Sequence, residues 1–197
     1  MSMLYTGFIK PLFDFLISVI VLCVTLPLMI IVGCCLYAQF GQIFFIQQRS
    51  GKNKQQFNCI KFITLKPLKS GELKTDKERE SFFTHWLRVT SIDELPQFWN
   101  VLRGDMSIIG PRPLLVEYNN FYSDEQNGRF DVKPGITGWA QVNGRNAISW
   151  EEKFKLDVYY VSHLDWRLDL KIFLKTFIVL GNWSQVYPKD NQKNKPF

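Results

Sequence analysis

Residues 15–36 read F-L-I-S-V-I-V-L-C-V-T-L-P-L-M-I-I-V-G-C-C-L, and no charged side chain occurs anywhere in residues 15–48. The stretch is as long as a membrane-spanning helix of about 20 residues. It exceeds the apolar region of a signal peptide, and Cys34-Cys35-Leu36-Tyr37-Ala38-Gln39 is a poor match to a small-x-small cleavage site. A retained membrane segment is the reading. Pro27 falls in its middle, where it lacks an amide donor and its ring presses on the carbonyl of Cys23, so a helix there must kink or break. Two paths stay open. A kinked helix crosses the bilayer with the basic remainder of the chain on the cytoplasmic side. Alternatively the chain turns back: residues 15–26 and 28–39 would each form a helix about 18 Å long, short of the ~30 Å hydrocarbon layer. The turn then needs partners for its freed carbonyls, and the Thr25 hydroxyl is one.

Outward from this segment, 197 residues allow one domain with a sizeable core and a small appendage. Six Trp and seventeen Phe speak against disorder. A net charge of +6 favours an anionic partner: nucleic acid, lipid headgroups or a phosphorylated substrate. The four cysteines form no C-x-x-C pair and the two histidines lie far apart, which disfavours a zinc site, a disulfide framework and a Ser–His nucleophile. Residues 43–48 and 57–65 read as short strands around a basic turn, and 66–78 as a polar loop. Phe82, Phe83, Trp86 and Leu87 share one helical face, and residues 114–126 are expected to be a helix. Residues 133–146, with three glycines and a proline, read as mostly loop. Ser149-Trp150-Glu151-Glu152 opens a helix with Trp150, Phe154, Val158 and Val161 inward. In the last helix, residues 165–180, Trp166, Leu170, Phe173, Leu174 and Phe177 form an apolar stripe beside Arg167, Lys171 and Lys175. That pattern fits a core helix or one lying among lipid headgroups.

The chemistry centres on V-T-S-I-D-E-L-P, residues 89–96, where Asp93 and Glu94 stand together. Ser91 to Glu94 spells a capping box, but Pro96 would then cost a helix hydrogen bond, so the pair is placed in a turn at a helix start. The exposed amides there favour an ionised Asp93 and a nearby phosphate. Adjacent helical residues point about 100° apart, which suggests divided labour, one carboxylate attacking phosphorus and the other holding Mg²⁺. In R-G-D-M-S-I-I-G-P-R-P, Pro111 and Pro113 stiffen the backbone that presents Arg112, a fork suited to phosphate. Arg88, Arg103, Arg129 and Arg145 add cations to the same region.

L-R-V-T-S-I-D-E-L-P-Q-F-W-N-V-L-R-G-D-M-S-I-I-G-P-R-P, residues 87–113, resembles the signature of the bacterial sugar transferases, the monotopic phosphoglycosyl transferases. K-P-G-I-T-G-W-A-Q-V-N-G-R-N-A-I-S-W is similar to a second block of that family, and Q-x-R-x-G from Gln47 with K-F-x-T from Lys61 to a third. The resemblance covers residues 8–180, and the chain length suggests the small, catalytic-domain-only members, typified by the enzyme acting on UDP-diacetylbacillosamine. It implies an α+β, mostly helical fold: a re-entrant helix-break-helix over residues 1–40, broken near Pro27, a catalytic domain over 41–181 with a small sheet and membrane-surface helices, and a loose polar tail over 182–197. It implies transfer of a sugar 1-phosphate from a UDP-sugar to undecaprenyl phosphate at the cytoplasmic face of the bacterial inner membrane, with release of UMP. Asp93 would be the nucleophile and Glu94 the Mg²⁺-associated carboxylate. Lys61, Arg88, Arg112 and Arg145 would contact phosphate or nucleotide. The chain departs from the family pattern at Leu26, where a serine usually precedes the proline, and at Ile63, where a cation is usual. The competing readings are an inactive membrane-anchored scaffold for glycan-assembly enzymes and, resting on charge alone, a nucleic-acid binder. The phospholipid bilayer is an expected partner, nucleic acid is not, and a homodimer is an assembly the sequence permits.

Overall fold

The computed structural model describes residues 3–68, 75–144 and 147–181; Arg145, the centre of the polar loop and the tail from residue 182 lie outside the described residues. A π-helical turn, Tyr5–Ile9, leads into α1, Lys10–Phe40, which ends on Gly41 in the left-handed region at φ 72°. Only glycine takes that conformation without strain. The hairpin β1 (Phe44–Ser50) and β2 (Gln56–Phe62) follows, antiparallel, with Phe45 opposite Lys61 and Gln47 opposite Cys59. Then come α2 (Asp76–Arg79), α3 (Phe82–Val89), α4 (Gln97–Leu102), β3 (Ser107–Ile109), α5 (Asp124–Asn127), β4 (Gly135–Thr137), α6 (Trp139–Val142), α7 (Trp150–Ser162) and α8 (Trp166–Gly181). The fold is α+β and mostly helical, with two separate two-stranded sheets among the described residues.

The break expected near Pro27 is not a break in secondary structure: α1 runs unbroken through it. The proline removes the amide that would reach Cys23, and two residues earlier the Thr25 hydroxyl donates to the Val21 carbonyl at 2.7 Å. What holds α1 is contact with the rest of the chain at both ends. Near its start, Lys10 Nζ donates to the Ile109 carbonyl (3.0 Å) and to Asp169 (2.8 Å). Asp14 accepts from the Ser107 hydroxyl at 2.7 Å and the Ile108 amide at 3.0 Å. Near its end, Val32 and Leu36 sit in a core cluster with Phe62, Ile63 and Leu87. Between these anchorages Ile20, Val24, Leu26, Ile30 and Ile31 are exposed.

Two local expectations fail for identifiable reasons. Residues 114–126 do not form one helix. The Leu114 carbonyl accepts from the Ser50 amide at 3.0 Å, tying that end to β1, and the Ser123 hydroxyl caps the separate α5 by accepting from Gln126. Residues 133–146 are not mostly loop either, because β4 pairs in parallel with β3 and Trp139–Val142 form α6. That pairing requires glycine: a Cβ on Gly135 would lie 2.1 Å from the Gly110 nitrogen. The expected face of α3 also splits, with Leu87 buried while Phe82 is 90% exposed. In α7, Ser149 caps as expected by accepting from the Glu152 amide, and Phe154 and Val161 are buried. In α8 the inward residues are Asp169 and Ile172, whereas Trp166, Leu170, Leu174, Phe177 and Ile178 are exposed. Four of the five stripe residues thus face outward while Phe173 packs on the core, so α8 is not a plain core helix.

Candidate active site

Asp93 and Glu94 occupy a single 3₁₀ turn, Ile92–Glu94, between α3 and α4. The capping box does not form. Ser91 is in the left-handed region at φ 58° and its side chain caps nothing; its carbonyl instead accepts from the Glu94 amide at 3.1 Å. Pro96 then takes the N-cap of α4, where its missing amide costs no hydrogen bond. The pair therefore sits at a helix start, as the proline requires, but on a strained turn.

Three elements converge on that turn. β2 brings Lys61, whose Nζ lies 2.5 Å from Glu94 Oε1. Buried Asn100 of α4 fixes the strand, accepting from the Ile60 amide at 3.0 Å and donating to the Asn58 carbonyl at 2.7 Å. The G-P-R-P turn after β3 brings Arg112, which donates to the same Glu94 oxygen at 3.0 Å. This turn is held from below: the Gly110 amide donates to Thr137 and the Gly135 amide to Pro111, each at 2.9 Å. From the side, Arg129 Nη2 donates to the Arg112 carbonyl at 2.7 Å.

Burial alone would raise Glu94, but Lys61 and Arg112 outweigh it and hold Glu94 well below the usual carboxylate range. Asp93 goes the other way. Burial first, and the Glu94 charge second, push it up to about 7 against the pull of Lys61, Arg112 and Arg88. Asp93 is thus less firmly ionised than its turn alone suggests: Lys61 and Arg112 bond Glu94, and among the described residues no donor reaches the Asp93 carboxylate. A carboxylate pair of this kind, one member pinned and the other without a counter-charge, fits a divalent cation. Mg²⁺ is commonly held by one or two carboxylates completed by substrate phosphates. Among the described residues no group of three metal-type side chains exists, so the substrate would supply the remaining ligands.

The cleft around this turn measures about 1070 Å³ and is lined by Lys61, Arg88, Asp93, Glu94 and Arg112 together. Arg88 also donates to Glu80 at 3.2 Å. Two cations grouped with these in the sequence are not equivalent to them. Arg103 pairs with Asp105 at 3.5 Å. Arg129 is 3% exposed, bound to Asp157 at 2.9 and 3.2 Å, with its guanidinium over the rings of Tyr122, Phe130 and Phe154. It positions Arg112 rather than meeting solvent. One residue was missed: Arg49, bonded to Gln47 at 2.6 Å, lines the cleft with its pKa lowered by burial. Its signal was the Q-x-R-x-G motif, in which the alternation of β1 puts residues 45, 47 and 49 on one face.

A family model described as bacterial sugar transferase matches residues 5–182. Among curated relatives, the uncharacterized sugar transferase EpsL of Bacillus subtilis is 45% identical over 171 residues, 85% of either chain. The undecaprenyl-phosphate galactose phosphotransferase of Salmonella typhimurium is 34% identical over 189 residues, 86% of this chain and 40% of that protein. The UDP-glucose:undecaprenyl-phosphate glucose-1-phosphate transferase of Xanthomonas campestris pv. campestris is 35% identical over 187 residues, 87% of this chain and 39% of that one. The chain thus spans 85% of the first relative and about two fifths of the other two.

Proposed function

The chain belongs to the bacterial sugar transferase family, and from that membership and the geometry around Asp93 we propose that it moves a sugar 1-phosphate from a UDP-sugar to undecaprenyl phosphate and releases UMP. It is a phosphoglycosyl transferase. The observation that carries the mechanism is the Asp93 carboxylate, unpaired in a cleft beside a Glu94 that is held ionised by two cations.

An Asp93 oxygen attacks the β-phosphorus. The new O–P bond replaces the bond from that phosphorus to the oxygen bridging the two phosphates, whose electron pair leaves with UMP. An oxygen of undecaprenyl phosphate then attacks the same phosphorus and the Asp93 carboxylate departs, leaving an undecaprenyl diphospho-sugar. Splitting the exchange in two lets one site serve a soluble donor and a lipid acceptor in turn. Lys61 and Arg112 stand where they can pass from Glu94 to the phosphate oxygens. Glu94, with Asp93, would hold Mg²⁺, which neutralises diphosphate charge when bound.

We also read α1 as lying within one leaflet on the cytoplasmic side. A helix crossing the bilayer would carry its first turns away from a cytoplasmic domain, yet Lys10 and Asp14 at one end and Leu36 at the other all pack on the same domain. The outward stripe of α8, with Phe177 60% and Ile178 72% exposed, continues the apolar surface into the headgroup layer.

The test is a panel of UDP-sugars with undecaprenyl phosphate and Mg²⁺, assayed for the nucleotide released. UMP is expected, with a phosphosugar retained on the protein when the lipid is withheld; Asp93→Asn should abolish both. Release of UDP would refute the mechanism, and a folded protein releasing no nucleotide from any donor would favour the scaffold reading.

A further inference from the structure

Two polar groups of the cleft have no part in the carboxylate chemistry. Gln141 of α6 lines it, yet both atoms of its amide are shielded from solvent and neither has a hydrogen-bond partner. Asp157 lines it too. Its Oδ2 takes both bonds from Arg129, while Oδ1, equally shielded, has none. Buried polar atoms are rarely left unpaired, and three of them bordering one cleft point to a ligand that enters it.

Their position says which part of a ligand. Gln141 Oε1 lies against the start of the G-P-R-P turn, 2.7 Å from where a Cβ on Gly138 would stand, and that same point is 2.1 Å from the Gly110 carbonyl. Asp157 meets the turn through Arg129, which holds the Arg112 carbonyl. Gln141 thus sits by Gly110, at the start of the turn, and Asp157 stands by way of Arg129 at Arg112, whose side chain reaches Glu94. The phosphate-handling cations gather at the carboxylates; here stand an uncharged amide and an oxygen whose charge a guanidinium already balances. Such groups suit a neutral, hydrogen-bonding moiety attached to a diphosphate. In a UDP-sugar the sugar is joined directly to the phosphorus under attack, while the uridine lies beyond the second phosphate. A site set back from Asp93 by an arginine side chain matches the uridine.

We propose that this pole of the cleft reads the nucleoside, the Gln141 amide pairing its donor and acceptor with the N3–H and a carbonyl of uracil and Asp157 Oδ1 accepting from a ribose hydroxyl. The pairing is the bidentate one by which amide side chains read base edges, and the acidic oxygen acts on ribose as it does in dinucleotide folds. The assignment rests on the transfer reading above. It is tested by calorimetry on the full chain in detergent micelles, titrating UMP, 3-methyl-UMP and inorganic pyrophosphate. The unsubstituted protein should bind UMP about ten-fold more tightly than 3-methyl-UMP. Gln141→Ala should erase that difference and leave pyrophosphate binding unchanged. Equal affinity for UMP and its methylated form would overturn the proposal, and so would a Gln141→Ala protein that loses pyrophosphate and UMP binding by the same factor. Should the variant fail to fold, the methyl comparison on the unsubstituted protein decides alone. A preparation that turns over UDP-sugars but ignores the methyl group defeats this inference only. One that neither binds UMP nor releases it defeats the transfer reading with it.

Discussion

Replacing Arg129 by methionine removes a cation from a place where its counter-ion cannot find water. Arg129 and Asp157 side chains are 3% and 4% exposed, and two N–H donors of the guanidinium hold Asp157 Oδ2. Breaking such a pair costs about 3–5 kcal/mol, because one charge stays buried. The cost is set by pH. Burial already raises Asp157 above its ordinary value against the pull of Arg129, and without that cation burial raises it further. The raised group keeps its proton in the folded state while the unfolded chain gives it up. Stability is therefore full below the unfolded pKa near 4 and is lost at about 1.4 kcal/mol per pH unit until the folded pKa is passed. From pH 6 to pH 8 the variant should lose up to about 2.7 kcal/mol beyond any change in the parent, or roughly 5–11 °C of Tm in a chain of this size. Thermal denaturation of the two proteins in one detergent at both pH values measures it. Adding Asp157→Asn should flatten the difference. A variant within about 1 kcal/mol of the parent at both pH values would refute the buried-pair account.

Three further outcomes follow from the same structure. Titrating ¹³C-labelled aspartate carboxyls in the metal-free protein should give an inflection near 7 that vanishes in Asp93→Asn; an inflection below 5 would mean the carboxylate is not desolvated. Leu36→Ala should cost about 2–5 kcal/mol in denaturant, since that side chain is fully buried at the far end of α1, and a loss under 1 kcal/mol would mean the helix end is not packed on the domain. Gly135→Ala should cripple turnover, as its Cβ would force the Gly110 backbone and the Arg112 turn to move; wild-type kinetics would refute the close approach.

What was legible in the sequence was what short-range chemistry decides. The uncharged run around Pro27, the proline that puts Asp93 in a turn, and the two prolines flanking Arg112 all act on their immediate neighbours. The strands β3 and β4 span three residues each and show no period, so their parallel pairing appears only when Gly110 and Gly135 meet. The role of Arg129 was hidden because its partner lies 28 residues away on another helix. The raised pKa of Asp93 was not legible because a local turn predicts an exposed anion, whereas the folded chain leaves it only part-exposed and assigns Lys61 and Arg112 to its neighbour. Continuity of α1 through Pro27 likewise depends on packing rather than on propensity.

α1 also contributes Ile17 and Val21 to the lining of the cleft. It is thus a wall of the reaction chamber rather than a tether. Trimming the chain ahead of β1 to obtain a version that dissolves without detergent would open that chamber to water on one side and strip the cover from Phe62, Ile63 and Leu87. For this protein, solubility and catalysis cannot be separated by a cut.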